Sequence, residues 1–311
     1  MFTTETVRAV AVSLTAAVVV QLGAAPADGR SQGRALTCRG SAVECAARLE
    51  GTLVSLRDRL GCDHHAPFAA EYTWVQRTLR ETLRERPGFF AEPSWVARDL
   101  NAAFVSSYLR AYEADRAGRP APDAWRIAFD AARTGRTNAG QDALLGANAH
   151  IQRDMPYVLA ALGFVRADGA SRKGDFDRFQ TVLDRAYGPS VRDIARRYDP
   201  LLALADDRWN PVAHFTAHEL FVLWRQNAWH YARRLAAADG AGEFRAASRA
   251  VEANAAAWAT LLASVQVPGY GLVRDAYCRD GRTGPVGVAP PAWTPLPLPV
   301  PLRSGRLPDG G

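Results

Sequence analysis

Apolar side chains recur every three or four positions along most of the chain, which is the spacing of one face of an α-helix. No run of alternating apolar and polar residues is long enough to indicate a strand. The pattern therefore predicts an all-α fold, with a single helical-bundle-like domain over residues 36–280. The predicted helices cover residues 41–60, 67–85, 94–117, 122–132, 140–162, 171–197, 211–237 and 243–265.

The two ends of the chain do not fit this domain. Residues 9–25 form an apolar run of mostly small residues, which ends in a small-x-small pattern typical of a signal-peptidase site. A membrane-spanning helix needs about 20 apolar residues, more than this interrupted run provides. We therefore predict a signal peptide over residues 1–27, cleaved after Ala27, a secreted protein, and no membrane span after cleavage. Residues 285–311 hold eight of the 19 prolines and are predicted to form a disordered, proline-rich tail.

The predicted export favours disulfides between the four cysteines. Cys45 and Cys62 lie at opposite ends of the predicted helix 41–60, about 25 Å apart at 1.5 Å per residue, whereas a disulfide needs Cα atoms within about 7 Å. Cys38 is excluded as a partner of Cys62 for nearly the same reason. The sequence thus predicts the pairs Cys38–Cys45 and Cys62–Cys278.

Composition and charge narrow the classes of function. A chain of 311 residues with 48% hydrophobic side chains can bury a core of ordinary size. The net charge is +6, but basic and acidic residues are interspersed, so no nucleic-acid-binding patch is expected. The sequence also lacks the G-x-S-x-G motif of serine hydrolases and the glycine-rich loop that binds nucleotide phosphates. The partners that remain are a small molecule or a phosphoester substrate; the oligomeric state is not predicted.

The residues of greatest chemical interest lie in the segment LLGANAHIQRDMP, residues 144–156. His150 and Asp154 are one helical turn apart on the same side, beside the small residues Gly146 and Ala147 that allow another helix to approach. An imidazole and a carboxylate at this spacing can share a metal ion, act as an acid and base, or form a buried hydrogen bond that only fixes helix packing. Pro156 deprives the helix of one backbone hydrogen bond, so the local backbone is predicted to be unusual.

Five segments of the chain resemble an uncharacterised bacterial family, domain of unknown function 5995. The resemblance covers residues 68–183. It implies a helical domain and no established activity. The segments are FAAEY at 68–72, the stretch from Trp95 to Tyr108, GRPAPDAWRIAF at 118–129, LLGANAHIQRDMP, and DFDRFQTVL from Asp175.

The phrase LG-x3-H-x3-D-x-P also resembles one helix of the zinc-dependent phospholipases C and related single-strand nucleases. This weaker resemblance implies that His150 and Asp154 are metal ligands. The chain departs from those enzymes because it has only six histidines. The resemblance therefore implies one or two ions of zinc or another divalent metal, and not a complete three-metal site. The remaining ligands would come from the carboxylates Asp99, Asp175 and Asp177, or from His64 and His65.

Two further features bear on the chemistry. His214 and His218 have a spacing that can chelate a metal, although HFTAHEL is not the H-E-x-x-H motif of metalloproteases. Arg225 follows on the same helical face, where it can bind phosphate or carboxylate, or neutralise a carboxylate across the bundle.

These residues support two main hypotheses. The first is a metal-dependent hydrolase, phosphoesterase-like, with His150, Asp154 and Arg225 as its catalytic residues. The alternative is a non-catalytic secreted binding or structural protein in which His150 and Asp154 only fix helix packing. A metal-free enzyme is the third possibility.

Overall fold

The structure, a computed structural model, describes residues 38–283. Over this range the chain forms ten α-helices and no strand, apart from one isolated bridge between Val165 and Ser171, which confirms the predicted all-α class. The predicted signal peptide and proline-rich tail lie outside the described residues. The helices are α1 (Ala42–Leu60), α2 (Ala66–Glu85), α3 (Ala102–Arg116), α4 (Asp123–Thr134), α5 (Ala139–Asn148), α6 (Met155–Leu162), α7 (Lys173–Arg197), α8 (Pro211–Ala236), α9 (Ala241–Ser264) and α10 (Tyr270–Thr283).

Shorter helical segments interrupt this order at three places. Pro200–Ala205 is a 3-10 helix, while Trp95–Asn101 and Ala149–Asp154 are π-helical. The predicted helix 140–162 is therefore α5, a π-helical segment and α6 in succession. In the wider π-helical turn the backbone N–H of Met155 donates to the carbonyl of His150, directly before Pro156, which has no N–H to donate.

The helix α10 was not predicted from the sequence. It follows Gly269, whose positive φ of 79° suits glycine, and it contains Gly271 and Gly281, which weaken a helical pattern. Contacts with the rest of the fold hold it: the carbonyl of Cys62 accepts a hydrogen bond from Arg274, and Tyr277 donates to the carbonyl of Arg196.

The helices α2, α7 and α8 form the part of the bundle that surrounds the site. The start of α2 packs near the end of α7, where Ala66 and Ala70 share a buried cluster with Ile194, and Arg185 donates to Thr82 near the end of α2. The two helices are therefore antiparallel.

The helix α8 runs antiparallel to α7 as well. His214 stacks on Tyr187, and His218 Nδ1 lies 2.8 Å from Asp184. Further along α8, Arg225 donates to the carbonyl of Phe176 at the start of α7. Increasing residue numbers on α8 thus match decreasing numbers on α7.

Both cysteine pairs predicted from the sequence lie at disulfide distance. The Cα atoms of Cys38 and Cys45 are 5.4 Å apart, and those of Cys62 and Cys278 are 5.8 Å apart. These bonds are compatible with an extracellular protein. Among the described residues, no helix is long and apolar enough to span a membrane.

We expect the two disulfides to contribute unequally to stability, because they close loops of very different length. The Cys62–Cys278 bond joins residues 216 apart, whereas Cys38–Cys45 joins residues 7 apart. By loop entropy, the double replacement of Cys62 and Cys278 by serine should cost about 5 kcal/mol, and that of Cys38 and Cys45 about 2 kcal/mol. Urea unfolding of both variants measures this, and equal losses would contradict it.

Candidate functional site

A partly open cavity of about 70 Å³ lies between α2, α3, α7, α8 and the two π-helical segments, with Ala147 of α5 and Met155 of α6 also in its lining. It has room for several water molecules, since a cavity needs roughly 10–15 Å³ to hold one. Aromatic and aliphatic side chains form most of its lining, among them Phe68, Val75, Phe104, Phe176, Phe179 and Phe221. Polar side chains interrupt this lining at Glu71, Tyr72, Asn101, His150, Tyr187, Ser190 and Arg225.

The structure brings His150 and Asp154 together in the π-helical segment beside this cavity. Both are buried, and His150 Nδ1 lies 3.3 Å from Asp154 Oδ2. The imidazole stacks on Phe104, with ring centroids 3.3 Å apart and planes within 7° of parallel. Gly146 permits the close approach of Phe68 on α2, as the sequence indicated for a neighbouring helix, because a Cβ atom there would collide with the ring of Phe68.

Asp154 has donors on both of its oxygens. Trp125 Nε1 donates to Oδ2 over 3.0 Å, and Arg153 donates to Oδ1 over 3.1 Å. Burial alone would raise the pKa of Asp154, but the hydrogen bond from His150 and the charge of Arg153 outweigh it and hold the pKa below its ordinary value. Asp154 is therefore a carboxylate at neutral pH.

The imidazole of His150 is neutral at neutral pH. Burial lowers its pKa below the ordinary value of 6.5, against the opposing effect of Asp154. An ionised carboxylate only accepts hydrogen bonds, so the ring proton is on Nδ1 and faces Asp154. Nε2 is then a free acceptor, and it is buried with no hydrogen-bond partner among the described residues.

The sequence patterns did not identify Glu71 as a candidate functional residue, although it lies in the FAAEY segment. It falls on the same face of α2 as the buried residues Phe68, Tyr72 and Val75, and that position was the signal that could have identified it. Its Oε2 atom is buried without a hydrogen-bond partner, and burial raises its pKa to about 8. Glu71 is thus mainly a neutral carboxylic acid at pH 7.

Arg225 lies at another part of the cavity lining. The residue is 3% exposed. Its guanidinium donates to the carbonyl of Phe176 and lies over the rings of Phe176 and Phe179 at 4.4 Å and 5.6 Å. Burial lowers its pKa to about 10, against the charges of Asp177 and Asp184, so it stays a cation at pH 7. No carboxylate of the described chain forms an ion pair with it.

The other carboxylates proposed as metal ligands lie elsewhere. Asp99 is exposed, and Asp177 pairs with Lys173. Asp175 is buried, but it accepts hydrogen bonds from the backbone N–H groups of Ala91 and Glu92. None of the three joins His150 and Asp154 in one cluster.

The remaining histidines also have carboxylate or aromatic partners. His64 bridges Asp142 and Asp275, at 2.8 Å and 3.1 Å. His65 pairs with Asp63. His214 and His218 do not converge on a shared site, because they contact Tyr187 and Asp184, respectively.

The donor set around Asp154 does not fit a metal ion. Both carboxylate oxygens already accept hydrogen bonds, and one of them faces the cationic side chain of Arg153. The free nitrogen of His150 faces away from Asp154. Within residues 38–283 no three His, Cys, Asp or Glu side chains are grouped so that they could hold a metal.

Comparison with known proteins identifies the family of this chain. The model of a family of unknown function, DUF5995, matches residues 44–265. The chain belongs to this family. All cavity-lining residues of this DUF5995 member lie inside the matched region, whereas α10 lies beyond it. No curated protein and no solved structure matches the chain.

The raised pKa of Glu71 predicts a specific dependence of stability on pH. The unfolded chain deprotonates Glu71 above its ordinary pKa of 4.5, whereas the folded chain keeps the proton up to about 8. The stability contributed by the protonated form is thus complete below pH 4.5 and is lost between pH 4.5 and 8.

Glu71→Gln should remove this loss, because glutamine does not titrate. Between pH 5 and pH 8 the wild type should lose about 2–4 kcal/mol of unfolding free energy relative to the variant. Urea denaturation at both pH values measures the difference. Glu113→Gln, at an exposed position of α3, is the matched control and should follow the wild type. A parallel response of Glu71→Gln and wild type would show that Glu71 is not buried as described.

Proposed function

We propose that this DUF5995 member binds a small, mainly apolar molecule in this cavity, and that His150 is the principal polar contact. The observation that carries the proposal is the free Nε2 of His150, a buried acceptor on a side chain that lines the cavity. Cavities of this kind, apolar with a few convergent polar groups, are the usual form of small-molecule sites.

The unpaired polar atoms support binding over a purely structural role. Native proteins pair nearly all buried polar atoms, and each unpaired one costs about 1–3 kcal/mol. His150 Nε2 and Glu71 Oε2 are both unpaired and belong to side chains that line the same cavity. A pair that served helix packing alone would need only the contact between His150 and Asp154. A ligand with a hydroxyl group can donate to Nε2 and accept from the protonated Glu71.

One observation favours a second candidate function, a metal-independent acid–base enzyme. A histidine can act as a general base when one ring nitrogen is hydrogen-bonded to a carboxylate and the second nitrogen is free. In this function Asp154 would orient the ring, and Nε2 would accept a proton from a bound hydroxyl group or water. The metal-dependent hydrolase and the secretion of the chain stay predictions from the sequence.

Metal analysis distinguishes ligand binding and metal-independent acid–base catalysis from the metal-dependent hydrolase. We expect the protein, purified without chelator, to contain no stoichiometric zinc or other divalent metal. His150→Ala should lower the unfolding free energy by about 1–3 kcal/mol, since it removes a buried hydrogen bond. Near-stoichiometric zinc in the wild type that is lost in His150→Ala would support the hydrolase.

Filling the cavity should abolish binding of a neutral apolar probe. Ala186 is buried on α7 and lines the cavity, whereas Ala246 is exposed on α9. We expect calorimetric titration with 1-decanol to show saturable binding to the wild type and to Ala246→Phe, and none to Ala186→Phe.

A cooperative melt of Ala186→Phe shows that the loss is not due to unfolding, because overpacking costs about 1–3 kcal/mol and leaves most folds intact. If that variant does not fold, titration of the wild type still decides the question. Absence of saturable 1-decanol binding to the wild type would contradict the proposed function.

A further inference from the structure

The polar groups of the cavity occur at two separate levels along α7. Arg225 contacts Phe176 and Phe179 near the start of this helix. Glu71 lines the cavity together with Tyr187, and its neighbour Ala70 packs with Ile194 near the end of α7. Phe176 and Phe179 precede Tyr187 by eleven and eight positions, which corresponds to about 12–16 Å at 1.5 Å per residue.

His150 belongs to the same end of the cavity as Glu71. Its ring centroid lies 4.9 Å from that of Tyr72 and 5.7 Å from that of Phe68, and these two residues flank Glu71 on α2. Between the two levels the α7 side of the lining is apolar, at Leu183 and Ala186. The cavity is thus elongated, with a cation at one end and hydrogen-bonding groups at the other.

The surroundings of Arg225 are those of a cation without its counterion. A buried charge is costly unless it is paired, and Arg225 has only one carbonyl oxygen and two aromatic faces as described partners. The carboxylates of Asp177 and Asp184 act on it through their charge but form no ion pair with it. An anionic group in the cavity would supply the missing partner, and the planar guanidinium suits a carboxylate.

Resting on the proposed function, we infer that the ligand is an elongated amphipathic acid whose carboxylate pairs with Arg225 and whose far end carries a hydroxyl group that meets His150 and Glu71. A single carboxylate matches the single charge of Arg225. A phosphate monoester would bring a second negative charge into an apolar cavity, where no other cation of the lining could balance it.

Four probes with the same ten-carbon chain test each end of the ligand. They are 1-decanol, decanoate, 10-hydroxydecanoate and decyl phosphate, titrated calorimetrically into the wild type at pH 7.5. We expect decanoate to bind at least about 10-fold more tightly than 1-decanol, as a charge-assisted hydrogen bond implies. Decanoate should also bind more tightly than decyl phosphate, and 10-hydroxydecanoate more tightly than decanoate.

Binding to variants shows which residue is responsible for each increase in affinity. Arg225→Gln should remove the advantage of decanoate over 1-decanol, while Arg225→Lys should retain part of it. Arg233→Gln is the matched control, since Arg233 is exposed on the same helix. His150→Phe should remove the advantage of 10-hydroxydecanoate over decanoate and leave the effect of Arg225 unchanged.

The outcomes separate this inference from the proposed function. If 1-decanol binds and decanoate binds no more tightly, the cavity is a ligand site and the acid assignment is wrong. If decyl phosphate is preferred, the carboxylate assignment is wrong. If none of the four probes binds, both the inference and the proposed function fail. The wild-type titrations alone give these outcomes, so they hold even if Arg225→Gln does not fold.

Discussion

The buried carboxylate of Asp154 is the interaction on which the geometry of the site depends. It accepts hydrogen bonds from Trp125 on α4, from Arg153 beside it, and from His150 one turn earlier. Removing one partner of a buried charge network is costly, because the remaining charge is left without compensation. The same carboxylate also fixes the proton of His150 on Nδ1, so it determines which nitrogen stays free to accept a hydrogen bond in the cavity.

The packing of three helices extends this local arrangement into an elongated site. Because α2 and α8 both run antiparallel to α7, the lining residues of each helix follow one another along the same axis. Arg225 therefore lies about 12–16 Å along α7 from the level of Tyr187 and Glu71. The unpaired polar groups of this site lower the stability of the protein without ligand, a cost that is typical of functional sites. Ligand binding would offset this cost.

The sequence predicted the architecture well because helical periodicity and covalent geometry are local properties. The family resemblance, the two disulfides and the all-α class are confirmed. The helix α10 could not be predicted in this way, since its glycines weaken the pattern and its contacts with Cys62 and Arg196 are distant in sequence. The interruption before Pro156 was indicated, although its π-helical form was not.

The same reasoning predicted only part of the candidate site. Spacing placed His150 beside Asp154, because one turn of helix decides that contact. The partners across the bundle depend on how the helices pack, which is why the expected convergence of Asp99, Asp175 and Asp177 does not occur. Periodicity likewise shows which face of a helix is buried, but not that a space remains between the faces. The role of Glu71 follows from that space.

The protonation state of His150 tests the central claim most directly. The side-chain nitrogen NMR signals of His150, assigned by comparison with His150→Gln, report whether each ring nitrogen carries a proton or a metal. At pH 6.5, the ordinary pKa of histidine, we expect a neutral ring with the proton on Nδ1 and a free Nε2 that shifts when 10-hydroxydecanoate is added. A doubly protonated ring at this pH, a proton on Nε2, or a metal-bound nitrogen would contradict the account.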